Sequence, residues 1–305
     1  MPDPPLASVT EAAYRRRAGA AAAADLDVLG QVGLQPLDGG MNNALYRLRH
    51  AGRDLCLKLP VVDSSRRAER EWVMLSLLAR RGHPRVPEPV WHTFRSGRPA
   101  IIMTFVPGEP LSDADLQPEQ LDAITEALTD LYSITPADVP EPVAEVATPA
   151  PAMLHRLRAQ WATPGAVADP GRQQAAQLWH RWAQGPDPET ILRPPAGRVL
   201  GRGDPSLANL LWGGAHVTLL DFEYSGWTDP AYELADLVEH PRSRGTPNAT
   251  WDAFVDRFAL DLAAQARHSA ARRMLALFWL ARWQPGSVSE TAQLGRTEQL
   301  LSDVR

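Results

Sequence analysis

The chain contains a single cysteine, Cys56, so no intramolecular disulfide can form, and no Cys/His grouping has the spacing of a zinc site. A reducing cytoplasm is the expected compartment. No run of about eighteen apolar residues occurs, and the most hydrophobic late stretch, residues 274–283, is bounded by Arg272, Arg273 and Arg282. No membrane contact is expected. The first residues, MPDPPLASVTEAAYRRR, offer no apolar core behind a basic start, and the alanine run near residue 20 is broken by Gly19 and followed by Asp25 and Asp27. That segment reads as neither signal peptide nor anchor. A basic excess is also missing: 31 Lys and Arg face 36 Asp and Glu, for a net charge of −5, which excludes nucleic acid as a main partner. With 21 glycines and 28 prolines among 305 residues the composition is not of low complexity, and 44% hydrophobic residues suit a globular protein. At about 150 residues per domain the length predicts two lobes, and no solenoid or propeller repeat is visible.

Residues 1 to about 30, rich in Ala and Arg, predict one or two short helices, after which strand-like alternation starts at Leu34. Residues 44–49 alternate apolar and polar, residues 50–53 supply a turn, and Leu55, Leu57 and Leu59 share one face, which predicts a hairpin. Pro60 and Asp63–Ser64–Ser65 break the sheet. Trp72, Leu75, Leu78 and Ala79 then mark a helix over 66–80, and further strands are expected around 89–93 and 100–105. Beyond Pro107–Gly108 the signal is mainly helical, with the stripe Leu121, Ile124, Leu128 and Leu131 ending near Pro136. Five prolines between 136 and 152 make a connector, and helices at about 153–162 and 171–184 follow before a short strand at 198–200.

The densest chemical signal is GRGDPSLANLLW at residues 201–212, followed by VTLLDFE at 217–223. It reads as a strand, a tight polar loop and a β-hairpin that ends in a carboxylate. Phosphoryl transfer needs a group to orient and deprotonate an acceptor hydroxyl, and hard oxygen ligands for the magnesium that neutralises a polyphosphate. Asp204, Asn209 and Asp221 supply such oxygens, and Asp-x-x-x-x-Asn followed by Asp-Phe matches the catalytic loop and metal-binding segment of kinases. Upstream, Lys58 faces away from the leucines of its strand, where an ammonium could reach nucleotide phosphates, and Glu71 on the next helix can pair with it. Gly39 and Gly40 could let backbone N–H groups approach phosphates. Residues 102–108, including Thr104, Phe105 and Val106, have the make-up of a hinge whose main chain could bond adenine.

These residues resemble the aminoglycoside phosphotransferase and choline kinase-like small-molecule kinases, over roughly residues 30–245. The resemblance rests on the glycine pair, Lys58, Glu71, MTFVPGEPL, GRGDPSLANLLW and LDFEYSGWTDPAYELADL. It implies an α+β, bilobal protein-kinase-like fold: a small β-rich N-lobe at 1–106 with the phosphate-binding elements, and a larger, mainly helical C-lobe at 107–305 with the catalytic loop and acceptor site. It further implies that Asp204 is the catalytic base, Asn209 and Asp221 are magnesium ligands, Lys58 contacts phosphate, ATP is the donor and a small-molecule hydroxyl is the acceptor. No obligatory protein partner is implied. Asp229 and Asp236 would be chiefly structural or near the substrate. DFEYSG at 221–226 is similar to the choline and ethanolamine kinase branch, which makes such a kinase the alternative. The chain departs from the family with Arg202 two residues before Asp204, where His is common, and with Ser206–Leu207–Ala208 where His-Pro-Gly often stands. These departures motivate a further alternative, a nucleotide-binding pseudokinase or scaffold without turnover. No Ala-Pro-Glu close follows Asp221, which argues against protein substrates.

Each residue also has a plainer reading. An Asp in a Gly/Pro turn commonly bonds local backbone N–H groups, and Glu71 among Arg66, Arg67 and Arg70 could be a surface ion-pair partner. Asp229 and Asp236 could cap helices. Among ten tryptophans, the pairs Trp179/Trp182 and Trp279/Trp283 have the spacing of helix packing. Trp227, between Tyr224 and Asp229, is a candidate for the acceptor site together with Glu223, Tyr224 and Asp229 themselves.

Overall fold

A computed structural model of the chain describes residues 3–38, 43–60, 66–95, 97–114, 116–162, 170–284 and 286–302. Two compact units emerge. One takes Met1–Pro110 and Ala208–Tyr224, the other Leu111–Leu207 and Ser225–Arg305. The expected division had a single cut after residue 106; here residues 208–224 return to the first unit.

Along the chain the first elements are α1 (Leu6–Arg17), α2 (Ala23–Gln31), β1 (Gln35–Leu37), β2 (Ala44–His50), β3 (Arg53–Leu59), α3 (Arg67–Arg80), β4 (Pro89–Thr93), β5 (Ala100–Thr104) and β6 (Glu109–Pro110). Strands β1 to β5 form an antiparallel sheet of order β1-β2-β3-β5-β4. The β2–β3 hairpin closes through the two-residue turn Ala51–Gly52, with φ of 49° and 75°. Such a turn needs left-handed backbone at both positions, which glycine supplies without strain and which matches the twist of the strands. Alternation then decides the faces. Leu55, Leu57 and Leu59 are buried with Leu48 and Ile102 in one cluster beside Val9, Ala13 and Leu29 of α1 and α2. The opposite face of β3 carries Cys56 and Lys58, and α3 packs on β4 and β5.

Further elements are α4 (Pro118–Tyr132), α5 (Ala150–Trp161), α6 (Pro170–Ala183), α7 (Asp187–Leu192), β7 (Val199–Gly201), β8 (Leu210–Trp212), β9 (Val217–Leu219), β10 (Gly226–Thr228), α8 (Pro230–Glu239), α9 (Asn248–Asp256), α10 (Leu262–Arg282) and α11 (Val288–Ser302). In the first unit β8 and β9 form a hairpin that pairs with β6, which is why this late segment belongs there. In the second unit α10 is the central helix and packs on α5, α6, α7, α8 and α11. The expected stripe of α4 is buried, and Trp179 and Trp182 lie in the helical core. The architecture is α+β and protein-kinase-like, with an antiparallel sheet in the first unit and a mainly helical second unit. Among the described residues no helix is long and apolar enough to cross a membrane.

The second unit is tied by charge as well as by apolar packing. Glu239 at the end of α8 is fully buried and accepts from Nε of Arg272 at 2.9 Å and from Nε of Arg296 at 2.6 Å, joining α8, α10 and α11. Removing the carboxylate takes a fully buried counter-charge from two half-buried guanidinium groups, of which Arg272 keeps the exposed Asp252 at 3.0 Å. Glu239→Ala is therefore expected to lower unfolding free energy by about 3–5 kcal/mol in denaturant titration. A loss below about 1 kcal/mol, the size of an exposed pair, would show that the cluster holds nothing together.

Candidate active site

Within the first unit the chemistry gathers around one ammonium group. Lys58 on β3 is buried, and its Nζ donates to Oε2 of Glu71 at 2.6 Å and to Oδ1 of Asp221 at 2.8 Å. Oε2 of Glu223 lies 3.6 Å away. Strand alternation puts Lys58 on the face opposite the leucines, α3 supplies Glu71 from one side, and the residues after β9 supply Asp221 and Glu223 from the other. Glu223 is held in turn by Arg67 at 3.1 Å and by the Asn43 amide at 3.2 Å, while Arg67 also donates to the Tyr224 hydroxyl. Three carboxylates thus share the charges of Lys58 and Arg67, leaving a surplus negative charge. Burial pushes Glu71 up to about 7 against the pull of Lys58. Burial also opposes the Lys58 charge, yet Glu71, Asp221 and Glu223 together hold its pKa above the ordinary lysine value. The ammonium form therefore persists.

Asp221 has φ of 61°, a left-handed conformation that costs a non-glycine residue about 1–3 kcal/mol. The preceding Leu220 N–H donates to the Asn209 carbonyl at 2.9 Å, so the β8–β9 hairpin puts Asn209 beside the Leu220–Asp221 step. Oxygens of Glu71, Asp221 and Glu223 all lie within 4.8 Å of one another. Lys58 Nζ already lies 2.6, 2.8 and 3.6 Å from these three carboxylates, so it is the hard oxygens of the half-exposed Asp221 that fit a divalent cation of the magnesium type.

The hinge residues are more constrained than expected. The Thr104 N–H donates to Glu88 at 2.9 Å and the Phe105 N–H to Asp54 at 3.0 Å. The Phe105 ring is covered by the Arg47 guanidinium at 4.3 Å. Those two amides are already used, which leaves Val106 as the expected hinge residue whose N–H is not so engaged. Gly39 and Gly40 lie outside the described residues.

The second unit carries Asp204. Oδ1 of this half-buried residue accepts from Ser206 N–H at 3.3 Å, the local turn bond anticipated for an Asp in such a loop. The loop before it is anchored by Glu233 of α8, whose Oε1 accepts from the Arg202 N–H at 2.7 Å. The fit is tight: a Cβ on Gly201 would stand 1.8 Å from Oε2 of Glu233, so only glycine is accommodated there. Burial pushes Glu233 up to about 7, and the backbone donors oppose that rise. One turn along α8, Asp236 is pushed up to about 8 by burial and then by the charges of Asp204 and Glu233.

Other sequence candidates have structural engagements. Asp229 caps α8 by accepting from Tyr232 N–H at 2.9 Å, and its second oxygen accepts from Arg267 at 3.1 Å. Arg267 also donates to the carbonyls of Thr190, Ile191 and Arg193, which close the C-terminal end of α7. Trp227 is buried in β10, with its N–H on the Ala144 carbonyl and its carbonyl accepting from Val146. Glu223 and Tyr224, considered for the acceptor site, sit with Arg67 in the Lys58 cluster. Sequence reasoning passed over Arg67, Glu233 and His240. The signal for the last two was polar residues in and just after a largely apolar helix: Glu233 and Asp236 stand at i and i+3 on α8, and His240 is the residue that follows it.

The family model for the phosphotransferase enzyme family matches residues 33–278. Solved structures similar to this chain include a choline/ethanolamine kinase family protein from Mesorhizobium loti, with TM-score 0.63 and 20% identity over 88% of this chain and 87% of that one. The aminoglycoside phosphotransferase APH(4)-Ia aligns with TM-score 0.63 and 15% identity over 92% and 98%. A choline kinase from Cryptosporidium parvum Iowa II aligns with TM-score 0.61 and 12% identity, over 90% of each chain. At these identities the likeness is one of fold. A search of curated protein sequences finds no significant match.

Glu233 yields a test of the anchored loop. Its folded value of about 7 exceeds the ordinary 4.5, so as pH rises the unfolded chain releases this proton first and stability falls between those values. The loss is about 3 kcal/mol and is complete above the folded value. Glu233→Gln keeps an acceptor for the Arg202 N–H and does not titrate. Its stability relative to wild type should therefore improve by about that amount between pH 4.5 and 7 in unfolding titrations. Parallel stability curves would contradict the buried-carboxyl account.

Proposed function

We propose that this chain, which belongs to the phosphotransferase enzyme family and is a small-molecule kinase, transfers the γ-phosphoryl group of ATP to a hydroxyl of a small molecule. The observation that carries the reading is the Lys58–Glu71–Asp221 arrangement. A buried ammonium held by two carboxylates is costly unless its position is used, and here it stands on a sheet face with half-exposed Asp221. In this reading the first unit holds the nucleotide. Lys58 contacts the phosphates, Glu71 orients Lys58, and the Val106 main chain meets the base. Gly39 and Gly40 bring backbone N–H groups near the phosphates. Asp221 and Asn209 hold magnesium, which when bound screens the charge of the polyphosphate.

The second unit presents the acceptor. Asp204 accepts the proton of the attacking hydroxyl; the acceptor oxygen forms its bond to the γ-phosphorus as the bond to the bridging oxygen breaks, and ADP leaves. Glu233 keeps the backbone beneath Asp204 in place. The engagements of Glu223 and Tyr224 with Arg67 favour a role for both beside the nucleotide, although they carry the likeness to choline and ethanolamine kinases. A scaffold without turnover is the less favoured reading, because Lys58, Asp204, Asn209 and Asp221 are all present. The cytoplasm is the proposed setting, where ATP is abundant.

The test is Asp204→Asn, assayed with magnesium, ATP and a panel of hydroxylated acceptors. Loss of the base should cut kcat and kcat/KM together by about 10²-fold or more while ATP affinity stays near wild type. Wild-type turnover in the folded variant would remove Asp204 from the mechanism. A fall in melting temperature with impaired binding of both substrates would instead show that Asp204 serves only its turn.

A further inference from the structure

Beside Asp204 the second unit offers a corner made by the end of α8 and by α10. His240, the residue that follows α8, is half-buried and interacts electrostatically with Asp204. Its Nδ1 accepts the backbone N–H of Arg242 at 3.2 Å. Because that donor is an amide, Nδ1 must carry the lone pair, and the proton of the neutral ring sits on Nε2. Burial keeps the ring neutral by lowering its pKa to about 4; the Asp204 charge opposes the shift and Arg242, Arg244 and Arg202 assist it. The Nε2–H has no hydrogen-bond partner among the described residues.

The second donor is Trp279 of α10. Its indole meets the His240 ring edge-on, with centroids 5.5 Å apart and planes at 84°. Its Nε1–H is buried and finds no hydrogen-bond partner among the described residues. A buried donor left unmade costs about 1–3 kcal/mol, which an acceptor oxygen that reaches it would recover. The indole face is already in use: the Arg282 guanidinium lies over Trp279 at 5.9 Å and over the neighbouring Phe278 at 5.3 Å. A substrate ammonium would have to displace a cation of its own charge to use that face.

We infer that His240 and Trp279 determine acceptor specificity, and that they select an oxygen-rich, uncharged polyol or sugar over a cationic amine. The inference rests on the phosphotransfer reading above and adds the class of molecule phosphorylated. Two N–H groups on neighbouring side chains suit adjacent hydroxyl or ring oxygens, and one hydroxyl of the same molecule would lie toward Asp204. Arg242, Arg244 and Arg202 act on His240 as positive charges, and Asp204 acts on it as a negative one. Asp236, with its raised pKa, supplies less negative charge there than its residue type suggests.

The experiment measures acceptor-dependent ADP release with magnesium and ATP, using glucose, myo-inositol and glycerol against ethanolamine, choline and kanamycin. The wild type should turn over at least one neutral probe with kcat/KM about tenfold or more above every cationic probe. For that neutral acceptor, His240→Phe keeps the ring contact with Trp279 but removes the N–H, and should raise acceptor KM by about tenfold. His240→Gln, which restores a donor, should recover most of the loss, and Trp279→Phe should raise KM similarly. Thermal unfolding of each variant reports whether it is folded, and calorimetric titration with Mg-ATP reports whether the nucleotide site is intact. Turnover confined to the cationic probes, or neutral-acceptor KM unchanged in both His240→Phe and Trp279→Phe, would overturn the specificity inference and leave phosphotransfer standing. ATP binding without turnover of any probe would overturn the phosphotransfer reading and this inference with it.

Discussion

One buried ammonium group organises the first unit. Lys58 cannot stay charged in a low-dielectric interior without partners, and its partners come from two separated parts of the chain: Glu71 on α3, and Asp221 and Glu223 after β9. The neighbouring elements serve that convergence. The Ala51–Gly52 turn sets the register that aims Lys58 away from the leucine core, and α3 places a carboxylate on the face it exposes. The β6–β8–β9 sheet carries the late segment back into the first unit. Substituting any one partner changes the charge balance for the others, because three carboxylates divide two cations. The left-handed backbone at Asp221 is one further energetic cost of delivering a carboxylate to this point.

The second unit solves a related problem with a carboxylate in place of an ammonium. Glu233 reaches beneath a loop that has no side chain at Gly201 to obstruct it, and α8 is itself held by Asp229, Arg267 and the carbonyl end of α7. The loop containing Asp204 is thus supported by a helix that is capped, charge-paired and packed on α10. Along α8 and just past its end stand Glu233, which anchors the loop, Asp236, which feels the Asp204 charge, and His240.

Local rules made much of this legible in advance. Period-two alternation and a Gly-containing turn identified the β2–β3 hairpin and the face of Lys58, and the stripe in α4 identified its buried side. The order Lys58, Glu71, Asp204, Asn209, Asp221 suggested phosphoryl transfer because each residue type matches a chemical need at a recognisable spacing. Long-range pairing was less accessible. Nothing in residues 220–230 announces that Glu223 and Tyr224 turn toward Arg67, or that Asp229 spends both oxygens on a cap and a buried arginine. The return of residues 208–224 to the first unit depends on β6, a strand of two residues that carries no periodic signal. The used amides of Thr104 and Phe105 likewise depend on Glu88 and Asp54, residues whose spatial nearness no spacing encodes.

The central claim is that the Lys58 cluster is a nucleotide-phosphate and magnesium site and not only a structural ion pair. Calorimetric titration of ATP into wild type, Lys58→Ala and Asp221→Ala, each with magnesium and with chelator, tests it directly. The account predicts magnesium-dependent binding in the wild type and a loss of about tenfold or more in affinity for both variants, with the magnesium dependence abolished in Asp221→Ala. Mg-ATP affinity unchanged in both folded variants would contradict it.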